Sequence, residues 1–503
     1  MAEEATPVKH RGLITLSVML ATTMQALDTT IANVALPNMQ GNMGTTQDQI
    51  SWVLTSYIIA SAIFMPLTGF ISARFGRKRI FIWAVVGFTV ASMLCGAAQN
   101  LTQIVSFRVL QGIFGASLVP LSQAVLLDIY PRERHASAMA MWGVGVMVGP
   151  ILGPSLGGLL TEYYNWRWVF YINVPFGLLA WFGLASFLPE TTINRSRRFD
   201  LLGFTLLAIS IGSLQMMLDR GHSLDWFNHM EIIIEASIAG LAFYLFIAHM
   251  FTHKHPFIEP ALFKDLNFNI GLLFIFLVGV TLFSALVLLP PYMQNLMGYP
   301  VIDVGNLLAP RGLGTMLSMF AVARLSNRID GRYIIFMGII FSALSLWEMT
   351  FFTPNIDGSD IILTGLLQGL GLGFIYVPLS TIAFSTLSPH FRGEATALYS
   401  LIRNLGSGIG ISVVISYLSE HTQANHAAFS DFITPFNLAL RQILESEPFQ
   451  MDHSQNIAIL NAEVTRQAAG LAYLQDFRLM MWVTLAMLPL VFFLKPDAHK
   501  VKG

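Results

Sequence analysis

Charge is scarce in this sequence. Only 11% of its 503 residues are Asp, Glu, Lys or Arg, against roughly 25% in soluble domains, while 54% are hydrophobic. A water-soluble fold of this length could not cover its surface with so few charges. Cysteine is nearly absent too: Cys95 stands alone inside an apolar stretch, which excludes a disulfide framework and a cysteine metal site. No nucleotide-binding loop of the form GxxxxGK[ST], no HExxH and no filter-like repeat occurs, so the residues offer no support for a nucleotide-driven pump, a zinc enzyme or a channel. No cofactor, metal or nucleic-acid partner is expected. The polar stretch Met1–Arg11 is not followed by a small-residue cleavage site, and the first helix is expected to stay as a permanent anchor.

What the sequence does have is long apolar runs. Runs of roughly 17 to 25 residues are needed to cross about 30 Å of hydrocarbon. Fourteen candidates lie near 13–36, 52–72, 80–98, 103–127, 137–160, 168–188, 200–218, 232–252, 270–290, 306–325, 333–352, 361–385, 396–418 and 478–494. Their hydrophobicity is continuous rather than alternating, so they read as helices and not as barrel strands. The expected fold is all-α and polytopic.

Basic residues are retained on the cytoplasmic side of a membrane, and here they fall on alternate loops. With the N-terminus inside, that side collects Lys9 and Arg11, Arg74–Arg79, Arg132 and Arg134, Arg195–Arg198, Lys254 and Lys264, Arg324–Arg332, Arg392, and Lys495–Lys502. The short outer loops hold Arg167 and Arg220, and the long last outer segment holds Arg441, Arg466 and Arg478. An even number of spans puts both termini in the cytoplasm. Arg108, Arg311 and Arg403 fall inside spans.

The loop after the second run, Gly69-Phe-Ile-Ser-Ala-Arg-Phe-Gly-Arg-Lys78, combines glycines suited to a tight turn with a basic cluster suited to the anionic inner face. A weaker echo, Arg324-Leu-Ser-Asn-Arg-Ile-Asp-Gly-Arg332, follows the tenth run. Two such loops imply two six-helix halves, 1–190 and 266–503, separated by a two-helix insert at 191–265. A long polar loop is expected at about 419–476, its second part reading as amphipathic helix. Two readings fit it: a solvated connector, or a docking surface for a partner outside the membrane.

The chain resembles the EmrB/QacA branch of the major facilitator superfamily, the fourteen-helix drug:proton antiporters, and within it the EmrB-type multidrug export permeases. The resemblance rests on Leu27-Asp-Thr-Thr-Ile-Ala-Asn-Val-Ala-Leu-Pro37, Trp52-Val-Leu-Thr-Ser-Tyr57, the glycine-rich Gly145-Val-Met-Val-Gly-Pro-Ile-Leu-Gly-Pro-Ser-Leu-Gly-Gly158 and Trp166-Arg-Trp-Val-Phe-Tyr-Ile-Asn-Val-Pro-Phe-Gly177. Gln368-Gly-Leu-Gly-Leu-Gly-Phe374 and Arg403-Asn-Leu-Gly-Ser-Gly-Ile-Gly410 extend it into the second half. It implies a 6+2+6 fold, export of amphipathic compounds against protons from a bacterial inner membrane, and a periplasmic membrane-fusion adaptor with an outer-membrane channel as partners. The chain departs from the superfamily at Ala73, where an acidic residue is usual, and this weakens a charge-relay reading of the first cytoplasmic loop.

Asp28 is the chief chemical candidate, because an ionisable group inside a span is costly unless it is used or paired. At 1.5 Å per residue it lies about 22 Å along the first helix from the inside, and Arg108 lies about 8 Å along the fourth from the outside. In a core of about 30 Å the depths match, so the two can pair. Such a pair could couple proton entry to substrate release or simply be a static ion pair. Arg108 belongs to Arg108-Val-Leu-Gln-Gly112, which resembles the family's proton-transfer motif; an arginine stays charged, so its role there would be to tune a carboxylate.

Gly145, Gly149, Gly153 and Gly157 recur every four residues and share a helix face, with Gly158, Pro150 and Pro154 in the same motif. The stripe reads as close packing or as a flexible, leak-proof contact between the halves. Gly69, Arg74, Gly76, Arg77 and Lys78 form the candidate cytoplasmic gating loop. Arg311 and Arg403 could balance anionic substrates or hold internal carboxylates such as Glu348. Asp128 and Glu235, near span ends, are read as facing water. The many Met and Phe residues suit lipid contact, core packing or an adaptable cavity.

Overall fold

A computed structural model describes residues 10–191, 193, 198–326, 328–434, 437–438 and 453–495. Lys9, Arg195, Arg197, Arg441, Lys500 and Lys502, which carry part of the charge asymmetry, lie outside the described residues.

Among the described residues all regular structure is helical. The first part comprises α1 (Arg11–Met43), α2 (Gln47–Phe64), α3 (Leu67–Phe75), α4 (Arg77–Ala97), α5 (Leu101–Gly115), α6 (Leu118–Ile129), α7 (His135–Tyr163), α8 (Trp168–Tyr171) and α9 (Asn173–Phe187). Two helices follow, α10 (Leu201–Arg220) and α11 (Met230–Thr252). The last part comprises α12 (Leu266–Pro291) with a π turn at Tyr292–Leu296, α13 (Val301–Leu325), α14 (Gly331–Met349), α15 (Gly358–Ser385), α16 (Arg392–Ser430), α17 (His453–Leu485) and α18 (Leu488–Phe493).

Among the described residues eleven helices are long and apolar enough to cross a membrane, or twelve with α2 and α3 taken as one span bent by 56° next to Pro66. Proline lacks the amide hydrogen that continues the ladder, which accounts for the break. α1 and α13 cover two further runs. They have 33 and 25 residues, length enough to span, but carry Asp28 and several Thr and Gln, or Asp303, Arg311 and Arg324, along their course. The polar residues along their middle are buried by other helices: Asp28, Thr22, Thr23, Arg311, Thr315 and Ser318 are all inside, while Asp303 and Arg324 near the ends of α13 are exposed.

The same pairing occurs on both sides of α10 and α11. α1 packs on α7 and α9, α2 on α5, and α4 on α5 and α9; correspondingly α12 packs on α16 and α17, α13 on α15, and α14 on α15 and α17. Small residues along α7 permit the first of these contacts. Gly145, Gly149, Gly153 and Gly157 face α1, and the exposed carbonyls are used: Thr23 Oγ1 donates to Gly145 O at 2.7 Å and Thr30 Oγ1 to Gly149 O at 3.2 Å. The stripe is therefore a contact within the first bundle. α7 meets the second bundle through other positions, with Ile151 against Gly312, Met319 against Gly143 and Ser155 against Gly305. α7 runs unbroken through Pro150 and Pro154, and Gly158 has open space around it.

α10 lies between the bundles. Thr55 of α2 donates to Asp219, Ser412 of α16 donates to Leu218 O at 2.9 Å, and Trp226 Nε1 donates to Ser416 Oγ at 2.8 Å. The insert is thus bonded to both bundles.

The expected loop at 419–476 is largely helix. α16 continues to Ser430, because no glycine or proline interrupts it beyond Gly410, and α17 starts at His453 in the part read as amphipathic. The two arms touch: Asn425 Nδ2 donates to Ala468 O at 3.3 Å, and His426 Nε2 lies 3.0 Å from Asn461 Oδ1. At 39 residues α16 is about 58 Å long, nearly twice the roughly 30 Å hydrocarbon core, so its end projects beyond the membrane.

A Cβ at Gly149 would sit 2.5 Å from the Ala26 carbonyl carbon. Gly149→Val is expected to destabilise the protein by about 1–3 kcal/mol through overpacking, while Gly158→Val should be near neutral. Thermal unfolding of the two purified variants in detergent checks this.

Candidate functional site

The buried centre of the first bundle is built from five helices. Asp28 of α1 and Arg108 of α5 are 1% and 0% exposed, and Arg108 Nη1 donates to Asp28 Oδ2 at 2.6 Å. Gln111 Nε2, one turn beyond Arg108, and Asn173 Nδ2 of α9 both donate to Asp28 Oδ1 at 2.8 Å. The carboxylate therefore accepts three donors, one of them charged, which is the solvation that an ion out of water requires. Arg108 is held in turn: Nε donates to Val53 O at 2.9 Å, Nη1 also reaches Gln111 Oε1 at 2.7 Å, and the guanidinium lies 4.4 Å from the centre of the Tyr57 ring. Asn173 is fixed by Ser92 Oγ at 2.9 Å. The matched depths read from the sequence thus bring Asp28 and Arg108 into contact.

A proton arriving at this carboxylate would remove the charge that all three donors solvate. Arg108, always protonated, would then need another anion or water. One carboxylate thus holds three other side chains in place.

The sequence reading passed over Gln111, Asn173 and Tyr57. All three lie in the stretches that carry the family resemblance, and Gln111 follows Arg108 at i+3, so it shares its helix face. The signal was present but was weighed only for ionisable groups.

The second region joins the two bundles at the end where α4 and α16 begin. Arg77, opening α4, pairs with Asp128 at the end of α6, and Arg392, opening α16, donates to the other oxygen of Asp128 at 2.9 Å and to Leu127 O at 2.9 Å. Asp128 therefore ties the loop between α3 and α4 to the second bundle while its side chain stays 29% exposed, as expected for a residue at a span end. This also supplies a carboxylate to the loop despite Ala73. The loop's shape depends on two glycines. Gly76 has φ 93°, a conformation that side chains rarely adopt, and a Cβ there would strike Glu190, whose Oε1 accepts from Lys78 N at 3.1 Å. At Gly69 a Cβ would sit 2.9 Å from Glu394 Cα, so its absence lets α3 touch the start of α16. Arg74 lies over the rings of Phe70 and Phe75, 5.9 Å from each.

Between the bundles, Tyr376 of α15 is stacked on Trp142 of α7 at 5.9 Å, and its hydroxyl is 3.0 Å from Arg403 Nη1 and 3.4 Å from Gln123 Nε2. Arg403 thus meets a phenol, not a carboxylate. Arg311 is buried and donates to Leu282 O at 3.2 Å. Glu348 is exposed near the end of α14, and among the described residues no ion pair joins it to either arginine. Glu235 is buried, 4.0 Å from Arg220, which pairs with Glu231. On the insert, His249 Nε2 bridges both oxygens of Asp200 at 2.9 and 3.0 Å, and Asp200 also caps α10 through Gly203 N.

Two helical bundles with the same internal pairing, a membrane-buried ion pair in one and a charged bridge between them on the inner side define a polytopic membrane protein of the transporter class. The Major Facilitator Superfamily pattern matches residues 18–411, and the chain belongs to that family. It is 36% identical over 487 residues, 96% of this chain and 95% of the other, to the "Multidrug export protein EmrB" of Escherichia coli (strain K12). It is 35% identical over 501 residues, 99% of both chains, to the "Fatty acid resistance protein FarB" of Neisseria gonorrhoeae. Among solved structures the human organic anion transporter MFSD10 (TETRAN) matches with a TM-score of 0.61 over 94% of this chain and 99% of that one, at 15% identity, a likeness of fold.

Ion pairs at a partly exposed site are worth up to about 1 kcal/mol each, and each 1.4 kcal/mol is tenfold in population. Asp128→Asn, which weakens two of them, should therefore raise opening at this end by roughly three- to tenfold. With Cys95→Ser and Ser72→Cys, maleimide labelling reads this as faster modification of the buried position 72.

Proposed function

We propose that this chain is a proton-driven exporter of amphipathic or hydrophobic toxic compounds, working by alternating access between two six-helix bundles that flank a two-helix insert. The family and the multidrug-export names of its relatives support export of small molecules. The observation that carries the proton coupling is Asp28, wholly buried, with Arg108, Gln111 and Asn173 as its donors. In this reading substrate leaves outward as a proton reaches Asp28 from the outside, and the proton is released inward when the Asp128 bridge opens. Gly69, Arg74, Gly76, Arg77 and Lys78 act as the inner gate.

The chain then crosses the inner membrane of a bacterium fourteen times, with both termini cytoplasmic; the placement of basic residues supports this. The projecting arms of α16 and α17 are a suitable seat for a periplasmic membrane-fusion adaptor that leads to an outer-membrane channel, and the EmrB-type relatives favour it.

A second reading, export of a fatty acid or other anionic metabolite, is favoured by Arg311 and Arg403, which lack carboxylate partners among the described residues, and by the fatty-acid resistance named for one relative. Transport rather than catalysis is common to both readings.

In proteoliposomes with an imposed pH gradient, wild type should move substrate with counterflow of protons, whereas Asp28→Asn should lose gradient-driven transport and keep substrate exchange without a gradient. Full proton-driven transport by Asp28→Asn would refute the role given to it. In the same assay Arg403→Ala should weaken uptake of anionic amphipaths about tenfold more than that of cationic ones, as expected for loss of one charge-assisted contact. Equal loss for both would set the second reading aside.

A further inference from the structure

Asp476 of α17 is wholly buried, and neither of its carboxylate oxygens has a hydrogen-bond partner among the described residues. It stands in sharp contrast to Asp28. The surroundings are apolar and aromatic: Tyr473 and Phe477 on its own helix pack against Tyr292 at ring distances of 5.3 and 6.2 Å, and Phe477 meets Phe352 at 6.3 Å. Met480 and Leu346 belong to the same buried cluster.

The elements packed on α17 bring few ionisable groups. The π turn after α12 contributes Tyr292. α16, which runs alongside in the pairing fixed by Asn425 and Gln475, contributes Glu420 and the pair Tyr417 and His421, stacked at 3.7 Å. α14 contributes Glu348, exposed, and α17 itself contributes Tyr473 and the exposed Arg478. Among the described residues none of these forms an ion pair with Asp476.

An ionised carboxylate needs solvation, and this one, buried on every side, has no hydrogen-bond donor among the described residues while α17 is packed. Its neutral form fits the site. At 1.5 Å per residue Asp476 lies about 27 Å from Leu494 at the inner end, so it sits near the outer boundary of a core of about 30 Å, at a depth comparable to that of Asp28.

The geometry points to Asp476 as a second proton-binding site, in the second bundle, whose occupancy is tied to the packing of α17. With a proton from the outer medium its carboxylic acid permits α17 to close against α12, α14 and α16. Loss of that proton leaves a charge that only entering water can solvate, so ionisation favours separation of α17. The site differs in kind from Asp28: there a proton exchanges partners within a bonded cluster, while here it decides whether a helix can pack. This inference rests on the proton-coupled reading for its place in the transport cycle, though not for the proton binding itself.

Infrared difference spectra of the full-length protein in lipid nanodiscs, recorded on pH steps without substrate, test it. Wild type should show the C=O stretch of a protonated buried carboxyl; the band should persist in Asp28→Asn and vanish in Asp476→Asn, which should also release about one proton fewer per chain on titration. The asparagine mimics the neutral acid, so Asp476→Asn should fold, and its transport should lose pH dependence with a lowered turnover rather than a raised KM. An unchanged band and unchanged proton release in Asp476→Asn would overturn the proposal. If Asp476→Asn does not accumulate, Asp476→Glu decides: a displaced band supports the assignment, and an unmoved band overturns it. Absence of gradient-driven transport in wild type would refute the exporter coupling alone, because the infrared titration reports proton binding at Asp476 independently.

Discussion

In hydrocarbon every charge must bring its own solvation, and the architecture of this protein follows from that constraint at Asp28. Three donors converge on the carboxylate from α5 and α9, and Arg108 is anchored in turn by a backbone carbonyl of α2 and the face of Tyr57. Four helices must hold their mutual positions for the cluster to exist. The close approach of α7 to α1 through the small-residue stripe, and the hydrogen bond that Asn173 donates to Ser92, serve the same end by fixing α1 and α9. Buried ion pairs are weak evidence of net stability, but breaking one leaves an uncompensated charge. That asymmetry makes the cluster sensitive to the loss of any one partner.

The inner bridge obeys different physics. Asp128, Arg77 and Arg392 lie at the membrane edge, where water can replace any partner that withdraws, so their exchange is cheap. The two contacts differ in kind: a cluster deep in one bundle that has no water to replace its partners, and a partly exposed bridge between bundles that has. The tie through Tyr376, Trp142, Gln123 and Arg403 is intermediate, aromatic and polar, and can be remade by a ligand with a flat or anionic part.

Much of this was legible in the sequence, and for a reason. Continuous apolar runs leave the backbone no choice but helix, and a charge inside such a run must find a partner at its own depth, so Asp28 and Arg108 could be matched from spacing alone. Polar but uncharged partners were harder: Gln111 and Asn173 carry no cost large enough to demand explanation one residue at a time. Packing direction was illegible, since a four-residue glycine repeat says that something approaches closely but not what; the neighbour is α1 and not the other bundle. The second arm was legible as amphipathic helix from its Ala, Leu and Gln content, whereas the extension of α16 to Ser430 was not, although residues such as Gln423, Ala424 and Ala427 sustain a helix in water. Asp476 fell just outside the expected last span.

α16 begins at the Asp128 bridge with Arg392, passes Arg403 beside the aromatic centre, and ends at Ser430 in the projecting arm. Its length gives it the geometry of a lever. Over about 58 Å, a tilt of about 10° at the Arg392 end sweeps the Ser430 tip through roughly 10 Å. A displacement hardly felt at the bridge becomes, at the tip, comparable to the width of a helix, so the two ends of the protein are joined mechanically by one element.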